Sequence, residues 1–286
     1  MELSERRVCQ VLRQPRATQR YRLKQADKDR LLVAAIRRLA QKHPRYGYRF
    51  ITAKLRQDGW HVNKKRVQRL WQKEGLQVPY RRTIKRSRGR SENACFLKKA
   101  AFINHVWTYD FIEDQTEDGR MLKFLTVLDE YTRESLAIEV GRSIRAKDVI
   151  AVLEELFRVR GVPRFIRSDN GPEFIAEAIK GWLHDRGVGP LYIEPGRPWE
   201  NGYAESFQGR FRDELLDREV FHGVREAKVL AEQWRLEYNH ERPHSRLGYK
   251  TPAQFAAECI ASASATPSPR QYNRENVGNS LIACGT

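Results

Sequence analysis

The chain is 286 residues long, enough for two domains with a full buried core, so neither disulfides nor a structural metal is needed to hold it together. Its net charge of +17 is unevenly spread: residues 1–100 carry 29 Lys and Arg against 7 Asp and Glu, and the remainder 24 against 29. A basic first third on a mildly acidic body marks a polyanion-binding arm joined to a second unit. The cysteines (Cys9, Cys95, Cys259, Cys284) form no C-x-x-C pair, and no His pair has zinc-finger spacing, which argues against a zinc site. With no signal peptide and no long apolar run, free thiols in a reducing cytoplasm and no membrane partner are expected.

From the N-terminus, Leu3, Val8, Val11 and Leu12 predict a short helix ending before Pro15. A longer amphipathic helix follows, with Leu31, Leu32, Ala35, Ile36 and Leu39 as one apolar face, ended by Pro44 and Gly47. Two shorter helices are predicted over 50–57 and 64–73, closed by Gly59 and Gly75, the second with Asn63 as N-cap. In that last helix Val67, Leu70 and Trp71 face inward, leaving Lys64, Lys65, Arg66, Gln68 and Arg69 outside. Three helices with a basic third is the layout of a helix-turn-helix DNA reader, predicted for residues 1–78. Residues 79–100, with Arg81, Arg82, Lys85 and Arg86, lack apolar periodicity and read as an extended linker able to follow a phosphate backbone.

From residue 101 the periodicity changes. Strands are predicted over 106–112, 121–128 and 135–140, a helix over 148–159 with Val149, Val152, Leu153, Leu156 and Phe157 on one face, then a strand at 164–168, a helix at 173–185 and a strand at 190–194. Further helices are predicted from Glu205 to Leu216 and from Arg225 to Tyr238. This is an α/β order compatible with a ribonuclease-H-like mixed sheet, though spacing alone does not choose that topology. The unit is taken to close at residue 257, and the Ala/Ser/Pro/Asn-rich segment 258–286 is predicted to be a disordered tail.

Three acidic residues carry the chemistry. Asp110 alternates with Trp107, Tyr109 and Phe111 and so points to the opposite face of its strand; a strand aspartate belongs either at an exposed edge or with a partner such as a cation. Asp169, in Asp169-Asn170-Gly171, is either a plain turn or a ligand at the carboxyl end of a strand, where α/β sheets build sites. Glu205 falls outside the Ala204, Phe207, Phe211 and Leu215 stripe of its helix, with Arg212 nearly above it: two exposed charges, or a carboxylate for metal beside a guanidinium for phosphate. Carboxylates grouped in this way suit Mg2+, which takes hard oxygen ligands.

The chain contains W-x-Y-D-F at 107–111, S-D-N-G-P-E-F at 168–174, P-G-x-P-x-x-N-G-x-x-E-S-F at 195–207 and Y-N-x-x-R-P-H-x-x-L-G at 238–248, with 35 residues between Asp169 and Glu205. Over most of residues 20–257 it thereby resembles the second-reading-frame (OrfB) transposases of the insertion-sequence-three family, in the retroviral-integrase superfamily with its D,D(35)E triad. The resemblance implies a ribonuclease-H-like catalytic core behind an all-α helix-turn-helix-like domain. It implies Asp110, Asp169 and Glu205 as catalytic residues and ligands of two Mg2+ ions, with Mn2+ as substitute, and Arg212 as the basic residue after the glutamate. The implied activity is nicking at element ends and transfer of the freed 3′-hydroxyl into DNA. Implied partners are double-stranded DNA (element ends and target), further copies of the chain on DNA, and an upstream-frame protein or fusion, in a bacterial, nucleoid-associated setting. No heptad segment of the kind that the upstream frame carries is present. The alternatives are a non-catalytic DNA-binding regulator with a vestigial core, and a nuclease that cuts without joining.

Overall fold

A computed structural model describes residues 4–20, 26–78, 99–168, 173–192 and 202–265. Short helices α1 (Glu5–Val11) and α2 (Arg16–Gln19) precede a three-helix unit of α3 (Ala26–Lys42), α4 (Tyr48–Gln57) and α5 (Lys64–Lys73). Leu32, Ile36 and Leu39 of α3 meet Ile51 and Leu55 of α4 and Val67, Leu70 and Trp71 of α5 in one buried cluster. Leu31, expected on that face, is instead 73% exposed; at 100° per residue it sits about a quarter-turn off the centre of the buried stripe. The Asn63 cap is present, its side chain accepting from Lys65 N at 2.8 Å.

The second unit is a five-stranded mixed sheet in the order β3-β2-β1-β4-β5, the ribonuclease-H-like arrangement. Strands β1 (Val106–Gln115), β2 (Met121–Asp129) and β3 (Ser135–Gly141) pair antiparallel, while β4 (Phe165–Ser168) and β5 (Gly189–Tyr192) run parallel to β1. Because side chains alternate across a strand, each face builds its own core. Trp107, Tyr109, Leu125 and Val127 pack with α6 (Ala146–Arg160) and α7 (Glu173–Asp185). Ile112, Phe124 and Val140 pack on the other face with α8 (Gly202–Phe211), the single π-type turn that prolongs it (Arg212–Leu216), and α9 (Val224–His240). The β4–β5 approach is tight enough that a Cβ on Gly189 would come within 2.5 Å of the Phe165 ring.

The last turn of α9 and the segment after it tie the two units together. Arg242 is buried, pairs with Glu214, and lies over the rings of Tyr46, Phe50 and Tyr238 at 5.1–5.7 Å. His43 Nδ1 lies 3.1 Å from Glu237, and Lys42 and Lys54 reach Glu241. Asn239 mimics a strand neighbour, donating to Ser135 O and accepting from Ser135 N. Helix α10 (Pro252–Ala265) runs well past residue 258, where a tail was expected to begin; its alanines are strong helix formers, and Ala256 is buried. The rest of that segment lies outside the described residues. No helix among the described residues is long and apolar enough to cross a membrane.

Candidate active site and nucleic-acid interface

The site grows along one edge of β1. Among the described residues β4 pairs with β1 over Val106–Thr108. Buried backbone carbonyls need donors, and further along that edge α8 and its terminal turn supply two: Gln208 Nε2 donates to Phe111 O and an Arg212 guanidinium nitrogen to Glu113 O, each at 3.3 Å. Four helical residues rise about 6 Å and two strand residues about 7 Å, so helix and strand run in step. Glu205 lies three residues before Gln208, about 4.5 Å back along α8 toward the Asp110 end of that edge.

Asp110 is on the required face. Trp107 and Tyr109 lie in the α6/α7 core, and Ile112 in the α8/α9 core, so Asp110 shares the α8 side of the sheet. It is half-buried; its carboxylate accepts from Phe111 N at 2.7 Å, and its own carbonyl accepts from Thr126 Oγ1. Glu205 is exposed, while Ala204, Phe207 and Phe211 of its helix are buried. Asp169 follows Ser168, the last residue of β4, and lies outside the described residues, as do Arg81, Arg82, Lys85 and Arg86. The end of β4 is anchored by a buried ion pair, Arg167 to Glu130 at 2.7 Å. Beside it, burial pushes the Asp129 carboxyl up from its usual range, even though the backbone N–H groups of Asn104, Tyr131 and Thr132 all donate to it.

The donor set of this edge fits a divalent cation of the Mg2+ type: carboxylate oxygens, one half-buried and one solvent-facing, on the same side of one sheet. By contrast, the cluster of His43, Glu237 and Glu241 has ligand atoms within 4.8 Å of one another, but the ammonium groups of Lys42 and Lys54 already face Glu241. That cluster is an interdomain ion-pair network.

On α5, Lys64, Lys65 and Arg69 are exposed, forming a basic surface at the helix start. Arg66, expected beside them, is half-buried and held by Asp29 at 2.8 Å; Gln68 is also half-buried. Gln208 and Glu130 do not stand out from the sequence pattern as functional residues, and the motif that contains Arg242 does not say what that arginine pairs with. Gln208 is within reach of the helical projection, since it lies three residues after Glu205 on the same edge. The Arg167–Glu130 and Arg242–Glu214 pairs join distant parts of the chain and carry no local signal.

Residues 103–198 and 186–252 match two integrase core domain models, and residues 26–83 match an HTH-like domain. The chain is 38% identical over 265 residues to the insertion element IS407 uncharacterized 31.7 kDa protein of Burkholderia multivorans, covering 93% of this chain and 95% of the relative. It is 30% identical over 225 residues to transposase InsD for insertion element IS2A/D/F/H/I/K of Escherichia coli, covering 74% of this chain and 73% of the relative. Among solved structures, the HTLV-2 integrase catalytic core domain in complex with magnesium (trimeric form) matches with a TM-score of 0.44 and 15% identity, over 54% of this chain and 97% of that one.

Proposed function

Since the chain belongs to the insertion-sequence-three family of OrfB-type transposases, within the integrase superfamily, we propose that it acts in DNA transposition by nicking element ends and transferring the freed 3′-hydroxyl into a target duplex. The observation that supports this reading is the run of α8 along β1, bonded from Gln208 to Phe111 O and from Arg212 to Glu113 O; from it we infer that Glu205 and Asp110 act together on one face of the sheet. Asp169 is the proposed third carboxylate, because it follows directly on the strand that flanks β1.

In this mechanism Asp110, Asp169 and Glu205 would hold a divalent cation beside the scissile phosphodiester. Bound there, one or two Mg2+ ions would supply the acidity that makes water or a 3′-hydroxyl a nucleophile at neutral pH and would neutralise charge on the leaving oxygen. Gln208 holds α8 against β1, and the exposed part of the Arg212 guanidinium is placed to grip an approaching phosphate. The buried Arg167–Glu130 pair holds the end of β4, and so the chain entering Asp169, to the β2–β3 turn. The HTH-like domain, through Lys64, Lys65 and Arg69, and the basic segment containing Arg81, Arg82, Lys85 and Arg86 grip the duplex backbone. We further propose that several copies assemble on DNA, with an upstream-frame protein as partner.

The test is cleavage and joining of duplexes copied from the ends of the encoding element. Asp110→Asn and Asp169→Asn keep side-chain volume and remove a negative ligand, so both reactions should fall by orders of magnitude while DNA affinity changes little. Cleavage at the native rate in Mg2+ by either variant would rule out the triad. Cut strands without joined ones would reduce the activity to that of a nuclease.

A further inference from the structure

Helix α8 has two working flanks. At 100° per residue, Glu205, Gln208 and Arg212 lie to one side of the buried stripe, and Tyr203, Ser206 and Arg210 lie to the other. This second flank lines a cavity of about 500 Å3. Its other walls are the β2–β3 turn, the segment after α9, and Phe50 of α4. The cavity is therefore built jointly by the HTH-like domain and the catalytic core.

Its charge is unbalanced. Four arginines line it: Arg133, Arg210, Arg242 and Arg246. Arg242 is neutralised by Glu214 and Arg133 lies in the field of Glu130, whereas Arg210 and Arg246 have no carboxylate partner among the described residues. Of the acidic groups in the wall, Glu130 pairs with Arg167 through Oε1 and Asp129 accepts from backbone N–H groups. His244 adds no charge at neutral pH, because burial and the positive field of Arg242, Arg133 and Arg210 push its pKa down to about 3. Aromatic surface sits within the same walls: Arg133, in a left-handed backbone conformation (φ 66°), lies 3.7 Å over the Tyr203 ring, and Phe50 and Tyr238 also face the space.

We propose that this cavity receives one unpaired nucleotide of the DNA strand that crosses α8, its phosphate against Arg210 and Arg246 and its base against Tyr203 and Phe50. The inference rests on the DNA-processing function proposed above. A duplex is too wide to enter a space of this size, and its bases are shielded by stacking and pairing, so arginines and rings in one cavity can be engaged together only by an extruded nucleotide. Ring stacking with cationic contacts to the backbone is how single strands are held without a sequence code, and the volume is that of a small-ligand pocket. A helix is roughly 10 Å across, so the captured nucleotide lies within a few positions of the phosphodiester cut at the Glu205 flank.

The experiment measures affinity of the full-length chain, in EDTA, for duplexes copied from the ends of the encoding element, with a single mismatch stepped through the positions around the cut. Extrusion costs least where pairing is already broken, so a mismatch at one position should tighten binding by about tenfold or more. That gain should persist in Tyr203→Phe, which keeps the ring, and disappear in Tyr203→Ala and in Arg246→Glu. Absence of a position-specific gain, or a gain that survives both disruptive substitutions, would overturn the proposal; in the first case, uniformly weaker binding by Arg246→Glu would identify the arginines as duplex-backbone contacts only. Because binding is read without metal, failure to cut in the separate Mg2+ assay would sink the catalytic reading without touching this one. Normal cutting with no position-specific gain would sink this one alone.

Discussion

Arg242 and Glu214 form a buried, two-pronged ion pair, with guanidinium nitrogens 2.6–3.0 Å from both carboxylate oxygens and side chains only 6% and 12% exposed. The same guanidinium lies over Tyr46 and Phe50 of the HTH-like domain and Tyr238 of the core. The arginine of the Y-N-x-x-R-P-H motif is thus a joint between domains. Breaking a buried pair from one side leaves an uncompensated charge, at a cost of about 3–5 kcal/mol. Arg242→Ala should lower the denaturant midpoint accordingly and make the α4–α5 region more sensitive to limited proteolysis. A midpoint within the error of the native chain would show that the joint carries no stability.

Arg212 separates DNA handling from folding. It is exposed, and its visible bond is to a strand carbonyl on the surface, so Arg212→Ala should change stability by no more than about 0.5 kcal/mol. With pre-nicked ends, strand transfer by Arg212→Ala should recover as DNA is raised, and Arg212→Lys should recover at lower DNA because it keeps the charge and loses only the fork. Glu205→Gln should stay inactive at saturating DNA. If Arg212→Ala also stays inactive at full occupancy, Arg212 belongs to the chemical step.

His244 gives the fold a pH dependence of definite sign. Its pKa is about 3 in the folded chain against an ordinary 6.5, with burial the main cause. Between those values the unfolded chain binds a proton that the folded chain does not, so this contribution is complete above pH 6.5 and is lost as pH falls toward 3. Chemical denaturation at pH 7.5, 6, 5 and 4 should show the native chain losing more stability over that range than His244→Gln. Parallel curves would remove His244 as the cause.

The basic surface of α5 is expected to act through phosphates. Replacing Lys64, Lys65 and Arg69 together by alanine should weaken duplex binding evenly across sequences, and the slope of log K against log salt should become shallower by about 0.9 for each phosphate no longer neutralised. An unchanged slope would place the DNA on another face of the HTH-like domain.

Gly189 is expected to tolerate no side chain. An added Cβ would meet two Phe165 ring carbons at 2.5 and 2.7 Å, and overpacking of this kind costs about 1–3 kcal/mol. Gly189→Ala should therefore lower the melting temperature, and Phe165→Leu in the same chain should restore part of the loss. Additive losses in the double variant would show that the two positions do not meet.

What is local or chemically specific in this protein is legible from its residues alone. Period-two alternation puts Asp110 opposite Trp107 and Tyr109, and the packing of the two sheet faces agrees. The period of 3.6 puts Ala204, Phe207, Phe211 and Leu215 in the buried stripe, and the Asn63 cap is readable because capping acts within three residues. Local rules err where an element's flank or end is at stake, as with Leu31, Arg66 and the reach of α10. Everything that depends on which strands become neighbours is settled only in the closed fold. Along the same edge of β1 that pairs with β4, Phe111 O and Glu113 O accept from Gln208 and Arg212 of the α8 region. The Arg167–Glu130, Arg242–Glu214 and Arg66–Asp29 pairs each join residues 28–37 positions apart. No periodicity selects such partners, because an ion pair's energy depends on distance and burial, and both are set only when the chain has closed into its sheet order.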